Sequence, residues 1–209
     1  YNEIENKEKI VKKSWGKSKL KSDDAKKLIL DENGVGGYLW NKLFKLSLIK
    51  KFEIKFDETI YVWEDVLFVM EYLDKCKYVC LIDDIVYAYC RRAGSAVEYS
   101  LYTPQLYTQL NAIEKIDTVV HLDDFTKMLL KYREVRCCLG LIRSMGIGKN
   151  IEEGQLKKIL EKLNDISEKM VCNKLSTIDK ISWLLVKIQP KLFIYIYCLV
   201  RKIKQKKMR

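Results

Sequence analysis

Two adjacent carboxylates, Glu64 and Asp65, lie in the segment YVWEDVLFVM among aromatic and aliphatic side chains. The apolar spacing of EDVLFVMEYLDK predicts an amphipathic helix whose first turn holds both acids. There the helix dipole favours an ionised Asp65 and lowers its pKa, and neighbours such as Trp63 would limit water. Asp65 could then act as a general base on a hydroxyl within about 3 Å. The alternative is an ordinary acidic first turn that only stabilises the helix.

The loop RRAGSA is a second candidate because it combines cations, a glycine and a hydroxyl. The guanidinium groups of Arg91 and Arg92 can bind phosphate oxygens in pairs, and Gly94 gives the loop freedom to close. Ser95 adds its hydroxyl beside them. The pattern is compatible with a phosphate contact, while two solvated arginines in an exposed loop are the more ordinary interpretation.

The elements that must position these residues differ between the two halves of the chain. Residues 1–100 mix strands and short helices, with a weak hairpin pattern at the start and a helix that begins at Ser22 and ends near Asn33. GVGGYLW and FEIKFDETI are predicted to be extended, and KYVCLID and IVYAYC to be strands. After Thr103 only helical patterns occur, at 103–119, 122–145, 151–169, 174–188 and 191–205. The chain therefore divides near residue 100 into two domains, 1–100 and 101–209.

The net charge of +11 is concentrated in the second half of the chain. Residues 1–100 carry 18 basic and 17 acidic groups, whereas residues 101–209 carry 21 and 11. The last nine residues, RKIKQKKMR, contain six of the basic groups. A continuous basic groove is therefore not supported, and no nucleic-acid partner is expected.

Cysteine and histidine usage argues against a metal or disulfide scaffold. The seven cysteines are an odd number without CxxC spacing, which indicates reduced thiols in the cytoplasm. The single histidine, His121, has no second His or Cys nearby in sequence, so it is interpreted as a helix-surface residue. The sequence begins at Tyr1 and shows no signal-peptide pattern, and we expect it to be part of a longer protein.

The order of the motifs resembles the second half of the catalytic domain of bacterial family 2 glycosyltransferases. Members commonly show a Trp-Asn-Lys-Leu segment, an F-D-E stretch, an E-D-x-x-F motif at a helix start, and a Tyr-x-Tyr-Arg strand before a loop that ends in Ser. Here WNKLF, FDE, EDVLF and YAYCRRAGS follow in that order over about residues 34–96. The resemblance implies an α/β fold class, a partial GT-A fold that supplies the acceptor-side half, followed by an all-helical C-terminal region.

The resemblance also implies roles for individual residues. Asp65 would be the general base that deprotonates the acceptor hydroxyl for inverting attack on the anomeric carbon of a nucleotide-sugar, and Glu64 would orient the acceptor or the base. The residues implied near the sugar-binding cleft are Gly37, Trp40 and Asn41. The implied contacts to the donor diphosphate are Arg91, Arg92 and Ser95.

The metal-binding Asp-x-Asp motif of the family does not occur in this sequence. A divalent metal, Mg or Mn, is therefore expected only for the complete enzyme, and this part alone is expected to be inactive. The implied partners are a nucleotide-sugar donor and a glycan or lipid-linked acceptor. The expected location is the cytoplasm, peripheral on the inner face of the plasma membrane.

The C-terminal segment combines an apolar run with a basic end. LFIYIYCLV is nine residues long, whereas a membrane-spanning helix needs about 20. Residues 190–209 are predicted to form an interfacial helix on anionic lipid, and a packed last helix with a solvated tail is equally supported. The alternative function is a non-catalytic helical module that binds a membrane, a protein partner or RNA through this tail.

Overall fold

The computed structural model describes residues 2–5, 9–12, 18–82, 88–90, 102–149 and 151–207. Its strands are β1 (Asn2–Glu5), β2 (Lys9–Lys12), β3 (Ser18–Lys21), β4 (Tyr78–Leu81) and β5 (Ala88–Cys90). Its helices are α1 (Ser22–Leu30), α2 (Leu46–Phe52), α3 (Glu64–Asp74), α4 (Thr108–Val119), α5 (Asp124–Gly148), α6 (Glu153–Asp165), α7 (Glu168–Val171), α8 (Thr177–Ile188) and α9 (Pro190–Lys207), with a 3-10 turn at Pro104–Tyr107. Most of the described chain is thus helical.

The strands form two small separate sheets. One has the order β2-β1-β5, with β1 antiparallel to β2 and parallel to β5, and the other pairs β3 with β4 in antiparallel register. The N-terminal hairpin and the strand in KYVCLID are confirmed, and IVYAYC is a strand over its described residues, Ala88–Cys90. The expected α/β fold class, a partial GT-A half, is wrong, because strands of three or four residues in separate sheets are not one continuous sheet and helices dominate.

The two segments predicted to be extended, GVGGYLW and FEIKFDETI, are turns and loops around α2. Helix α2 ends where Glu53 adopts a left-handed conformation (φ 51°). The Asp57 carboxylate then accepts a hydrogen bond from the amide of Thr59 (2.9 Å), which closes a turn. Local hydrogen bonding of an Asp side chain to its own backbone competes with strand formation, and here it prevails over the alternating hydrophobicity.

The long helix α5 organises the core. It contacts α1, α4 and α6 to α9, and α3 packs on both α1 and α4. Leu129, Leu130, Ile142 and Met145 of α5 are completely buried, and one hydrophobic cluster extends from α1 and α3 into the C-terminal helices. The all-helical character predicted after Thr103 is confirmed for the described residues, and this packing fixes the position of α3.

A buried lysine joins the two halves of the chain. Lys26 of α1, only 3% exposed, donates to the Asp74 carboxylate (2.9 Å) and to the backbone carbonyl of His121 (2.7 Å). His121 lies between α4 and α5, and its amide donates to Asp74 (2.9 Å). The expectation that it lies on a helix surface is therefore wrong, because it belongs to a linker that is tied down through its backbone.

Candidate functional site

The first turn of α3 lies under a loop that only glycine can form. A Cβ atom on Gly37 would lie 2.5 Å from Val66 Cγ2 and 2.9 Å from Val66 Cα, so any side chain there would push the loop off the helix. Gly36 has a φ of +68°, a conformation that L side chains rarely adopt. The two glycines therefore place the loop directly beside Asp65.

Lys42 closes this loop from inside. Its ammonium donates to the carbonyls of Gly36 (2.6 Å) and Tyr38 (2.7 Å) and to the Asn41 side-chain oxygen (2.8 Å). The Asn41 amide nitrogen in turn donates to the carbonyl of Val35 (3.0 Å). All three ammonium hydrogens thus have acceptors, and the loop from Val35 to Lys42 is held by its own polar side chains.

Aromatic contacts stabilise the middle of the loop and the segment that follows it. The Tyr38 and Trp40 rings stack with centroids 5.4 Å apart, and Tyr38 is 47% exposed. Phe44 packs edge-on against Phe68 (5.5 Å) and Tyr72 (5.0 Å) of α3. The loop therefore exposes Tyr38 to solvent, stacked on a half-buried Trp40, while Phe44 anchors it on the helix.

The residue before α3 has a strained backbone. Trp63 lies in the left-handed region (φ 72°, ψ 18°), which costs a bulky residue about 1–3 kcal/mol and is commonest at functional sites. Its ring faces the guanidinium of Arg133 from α5, with Arg133 Cζ 5.5 Å from the ring centroid. The contact from α5 holds Trp63 in place and fixes the direction in which Glu64 and Asp65 leave the turn.

The electrostatics of Asp65 differ from the expectation based on the helix dipole. Burial raises the pKa of its carboxyl, and the negative charge of Glu64 adds to the rise. The amide of Val66, which donates to Asp65 at 2.7 Å, and the charge of Lys42 act in the opposite direction but do not outweigh burial. The predicted lowering is wrong, because the loss of solvent around Asp65 outweighs the favourable contacts at the helix start.

Burial also acts on Lys42. It lowers the pKa of the ammonium to about 8, and Asp65 partly offsets this by favouring the charged form. Asp65 and Lys42 are therefore two desolvated groups of opposite charge whose proton affinities are drawn towards neutral pH. Paired perturbations of this kind are typical of sites where protons are transferred.

A cavity of about 780 Å³ opens on the other side of the loop, between α1, α3 and β4. Trp40, Asn41 and Lys42 line it together with many apolar side chains, whereas Glu64 and Asp65 are not among its described lining residues. Lys42 therefore links the two environments, since it faces the cavity and its charge also acts on Asp65.

Of the eight predicted site residues, Gly37 approaches Val66 next to Asp65, and the charge of Glu64 acts on Asp65. Trp40 and Asn41 belong to the same loop as Gly37 but line the cavity on its other side. Arg91, Arg92 and Ser95 lie outside the described residues. Sequence reasoning missed Lys42, although it stands inside the WNKLF motif, and Arg133, which no local pattern connects to Trp63.

Within the described ranges, no group of three or more His, Cys, Asp or Glu side chains could hold a metal ion. These residues do not fit the divalent cation that the resemblance implies.

No protein-family model, no curated protein and no solved structure matches this chain.

Proposed function

We propose that this chain supplies the acceptor-activating part of an inverting glycosyltransferase, with Asp65 as the general base. One observation carries the proposal: the loop from Gly36 to Lys42 packs on the start of α3 at Val66, and burial there raises the pKa of Asp65. A carboxylate with a raised pKa accepts a proton more readily than a solvated one. A purely structural helix-start carboxylate gains nothing from such burial.

The proposed step transfers one proton and exchanges one C–O bond for another. An acceptor hydroxyl gives its proton to the Asp65 carboxylate while its oxygen attacks the anomeric carbon of a nucleotide-activated sugar. The bond from that carbon to the diphosphate oxygen breaks, and the nucleoside diphosphate leaves with the electron pair. Attack opposite the leaving group inverts the configuration at the anomeric carbon.

The neighbouring residues take supporting roles in this proposal. Glu64 orients the acceptor or Asp65, and the exposed Tyr38 ring, stacked on Trp40, offers a flat surface for the apolar face of a sugar ring. Lys42 positions the loop, and its charge favours the ionised form of Asp65. The donor-diphosphate contacts expected from Arg91, Arg92 and Ser95 remain predictions.

We propose the partners that the resemblance implies. The donor would be a nucleotide-sugar, and the acceptor a hydroxyl of a glycan or lipid-linked oligosaccharide. The sequence holds no Asp-x-Asp motif, so we propose the activity for a complete protein in which other residues hold the donor and a divalent metal, Mg or Mn. The proposed location is cytoplasmic, on the inner face of the plasma membrane.

The decisive experiment replaces Asp65 by Asn in the complete protein and measures nucleoside diphosphate release from a panel of UDP-, GDP- and dTDP-sugars with oligosaccharide acceptors. Asn keeps the shape and the hydrogen bond from Val66 but cannot accept the proton. We expect the transfer rate to fall about 10²–10⁴-fold, with donor binding unchanged.

The matched control is Glu58→Gln, which removes an exposed carboxylate seven residues before Asp65 and should leave the rate within about twofold, as is usual for exposed positions. A transfer rate of the Asp65→Asn protein that equals that of the control would disprove the role of Asp65. If the unaltered protein releases no nucleotide from any donor, the non-catalytic interaction module becomes the better interpretation.

A further inference from the structure

Helices α8 and α9 expose an extended apolar surface, called here the α8–α9 face. Ten of the twenty exposed large apolar side chains among the described residues belong to it: Ile178, Ile181, Leu184, Ile188, Leu192, Tyr195, Ile196, Leu199, Val200 and Ile203. Tyr195 is 66% exposed and Ile188 is 72% exposed. Isolated exposed apolar residues are ordinary, but a run along two contacting helices marks an interaction surface.

The opposite sides of the same helices are firmly packed. Trp183 and Val186 of α8 and Phe193 and Ile194 of α9 are buried against the core. Gly146 of α5 permits this close approach, since a Cβ atom there would lie 2.7 Å from Ile194 Cγ2. The α8–α9 face is therefore carried by fixed helices. The last helix packs on the domain and also exposes apolar side chains, and its contact with lipid stays a prediction.

Arg143 of α5 fastens the two helices to each other. Its guanidinium donates to Asp179 (3.1 Å) and Ser182 (3.0 Å) of α8 and lies over the rings of Phe193 and Tyr197 of α9 at 5.9 and 5.7 Å. The α8–α9 face is thus preformed, and little conformational entropy would be lost when it binds something.

The charges around the α8–α9 face are almost all positive. Asp179 is the only acid in the sequence of the two helices, and it is buried and paired with Arg143. Lys187 pairs with Glu168, and Lys191 pairs with Glu153, both on neighbouring helices. Because these two charges are balanced, the excess positive charge is concentrated at the end of α9. There the sequence has Arg201, Lys202, Lys204, Lys206 and Lys207.

We propose that the α8–α9 face docks the protein on the surface of a membrane that contains anionic lipid. Helices that lie in the interface plane bury an apolar stripe at the acyl boundary and place lysine and arginine among anionic headgroups, and an exposed tyrosine suits the headgroup level. None of the described helices is long and apolar enough to cross a bilayer.

Charge complementarity selects lipid over the other occupants. A second copy of this chain would offer no free acid from α8 or α9 to the basic end of α9, because Asp179 is buried and paired with Arg143. Nucleic acid would use the cations but would leave the apolar side chains exposed. An anionic bilayer is complementary to both components, because its headgroups match the basic end of α9 and its acyl boundary matches the apolar stripe.

Vesicle flotation with the 209-residue chain tests this directly. Vesicles of phosphatidylcholine with a quarter phosphatidylglycerol are compared with vesicles of phosphatidylcholine alone. We expect the protein to float with the anionic vesicles, and Lys202→Glu to weaken the partition coefficient by at least about fivefold. The double variant Tyr195→Glu/Leu199→Glu should weaken it by at least about tenfold.

The matched control is Phe125→Glu, an equivalent change at a side chain that is 53% exposed in the first turn of α5, away from the α8–α9 face. It should bind as the unaltered protein does, and far-UV circular dichroism should show that all variants remain folded. Equal flotation with both vesicle types, or an equal loss in the control, would overturn the proposal. So would an unaltered protein that ignores vesicles and sediments as a dimer that Tyr195→Glu/Leu199→Glu dissociates, because the occupant would then be a second copy.

Discussion

Helices α3 and α5 both begin with an acid, and the two acids have opposite electrostatics. At the start of α5, Asp123 accepts hydrogen bonds from the amide (2.7 Å) and hydroxyl (2.6 Å) of Thr126 and pairs with Lys27 (2.9 Å). These contacts lower the pKa of Asp123 to about 2. At the start of α3, burial raises the pKa of Asp65, although its carboxylate accepts a hydrogen bond from the amide of Val66 (2.7 Å).

The difference separates a carboxylate whose charge the fold stabilises from one whose charge burial disfavours. Asp123 is 41% exposed and surrounded by donors, so its charge stabilises the fold. Asp65 lies under the loop from Gly36 to Lys42 and after a strained Trp63, so the fold maintains its charge at a cost. Groups whose charge opposes stability are expected where function requires them.

Gly37→Ala should have the largest effect on stability and on the pKa difference between Asp65 and Asp123. The new Cβ atom would lie 2.9 Å from the backbone of Val66, which cannot move without shifting α3, so the loop must lift. We expect the free energy of unfolding to fall by about 1–3 kcal/mol, measured by urea denaturation. The pKa of Asp65 should return towards that of a solvated carboxyl, as followed by carboxyl-carbon NMR, because water would enter beneath the loop.

Gly140→Ala is the control for that variant. A Cβ atom on Gly140 meets nothing within 4 Å, and the residue lies inside α5. It should stabilise the protein by about 0.5–1 kcal/mol, since alanine restricts the unfolded chain. If both glycine variants behave alike, the loop does not depend on a close approach at Gly37.

The next largest effect is expected from Lys42→Met. The carbonyls of Gly36 and Tyr38 lose their ammonium donor, and leaving such groups unpaired costs about 1–3 kcal/mol, offset in part by the removal of a desolvated charge. The pKa of Asp65 should rise further, because Lys42 favours its ionised form. NMR titration of Asp65 checks this, with Lys50→Met, an exposed lysine of α2, as the control that should leave the titration unchanged.

The helices were predictable because their signals are local. Ser22, the acidic turn at Glu64 and the apolar spacing after Thr103 predicted helices that the structure contains. The fold class was not predictable from local signals. Whether FEIKFDETI becomes a strand depends on the Asp57 turn and on partners distant in the sequence. Alternating hydrophobicity allows a strand but cannot supply the neighbour it must pair with.

The sequence motifs named residues that the structure places on neighbouring segments, but they did not predict their electrostatics. Asn41 lies in the loop from Gly36 to Lys42 and Asp65 in the first turn of α3, and their shared function stays a prediction. The direction of the Asp65 pKa was predicted wrongly, since the helix dipole is visible in a sequence and the burial by a loop about 25 residues earlier is not. Arg133 was missed for the same reason, as it comes from another helix.

Asp123→Ala should lower the free energy of unfolding by less than the loop variants do. It should leave the pKa of Asp65 unchanged, because only the cap of α5 is lost. Loss of the N-cap is expected to lower the free energy of unfolding by about 1 kcal/mol at pH 7. Because the folded pKa is depressed to about 2, the contribution of Asp123 is present above its unfolded pKa near 4 and lost as the pH falls towards 2. Urea denaturation from pH 7 to pH 2 should show the difference between variant and unaltered protein shrink below pH 4.

The smallest effect on stability, and the one of opposite sign, is expected from Asp65→Asn. Since the folded pKa of Asp65 is raised, its ionisation opposes folding once the pH exceeds the unfolded value near 4, and the penalty is complete above the folded pKa. Asn keeps the acceptor for the Val66 amide without the charge, so the variant should be slightly more stable than the unaltered protein at pH 7 and indistinguishable from it at pH 3. Urea denaturation at the two pH values measures this. Lower stability at pH 7 would mean that Asp65 is a second capping carboxylate like Asp123, whereas higher stability together with lost transfer would show that the fold holds this charge for chemistry.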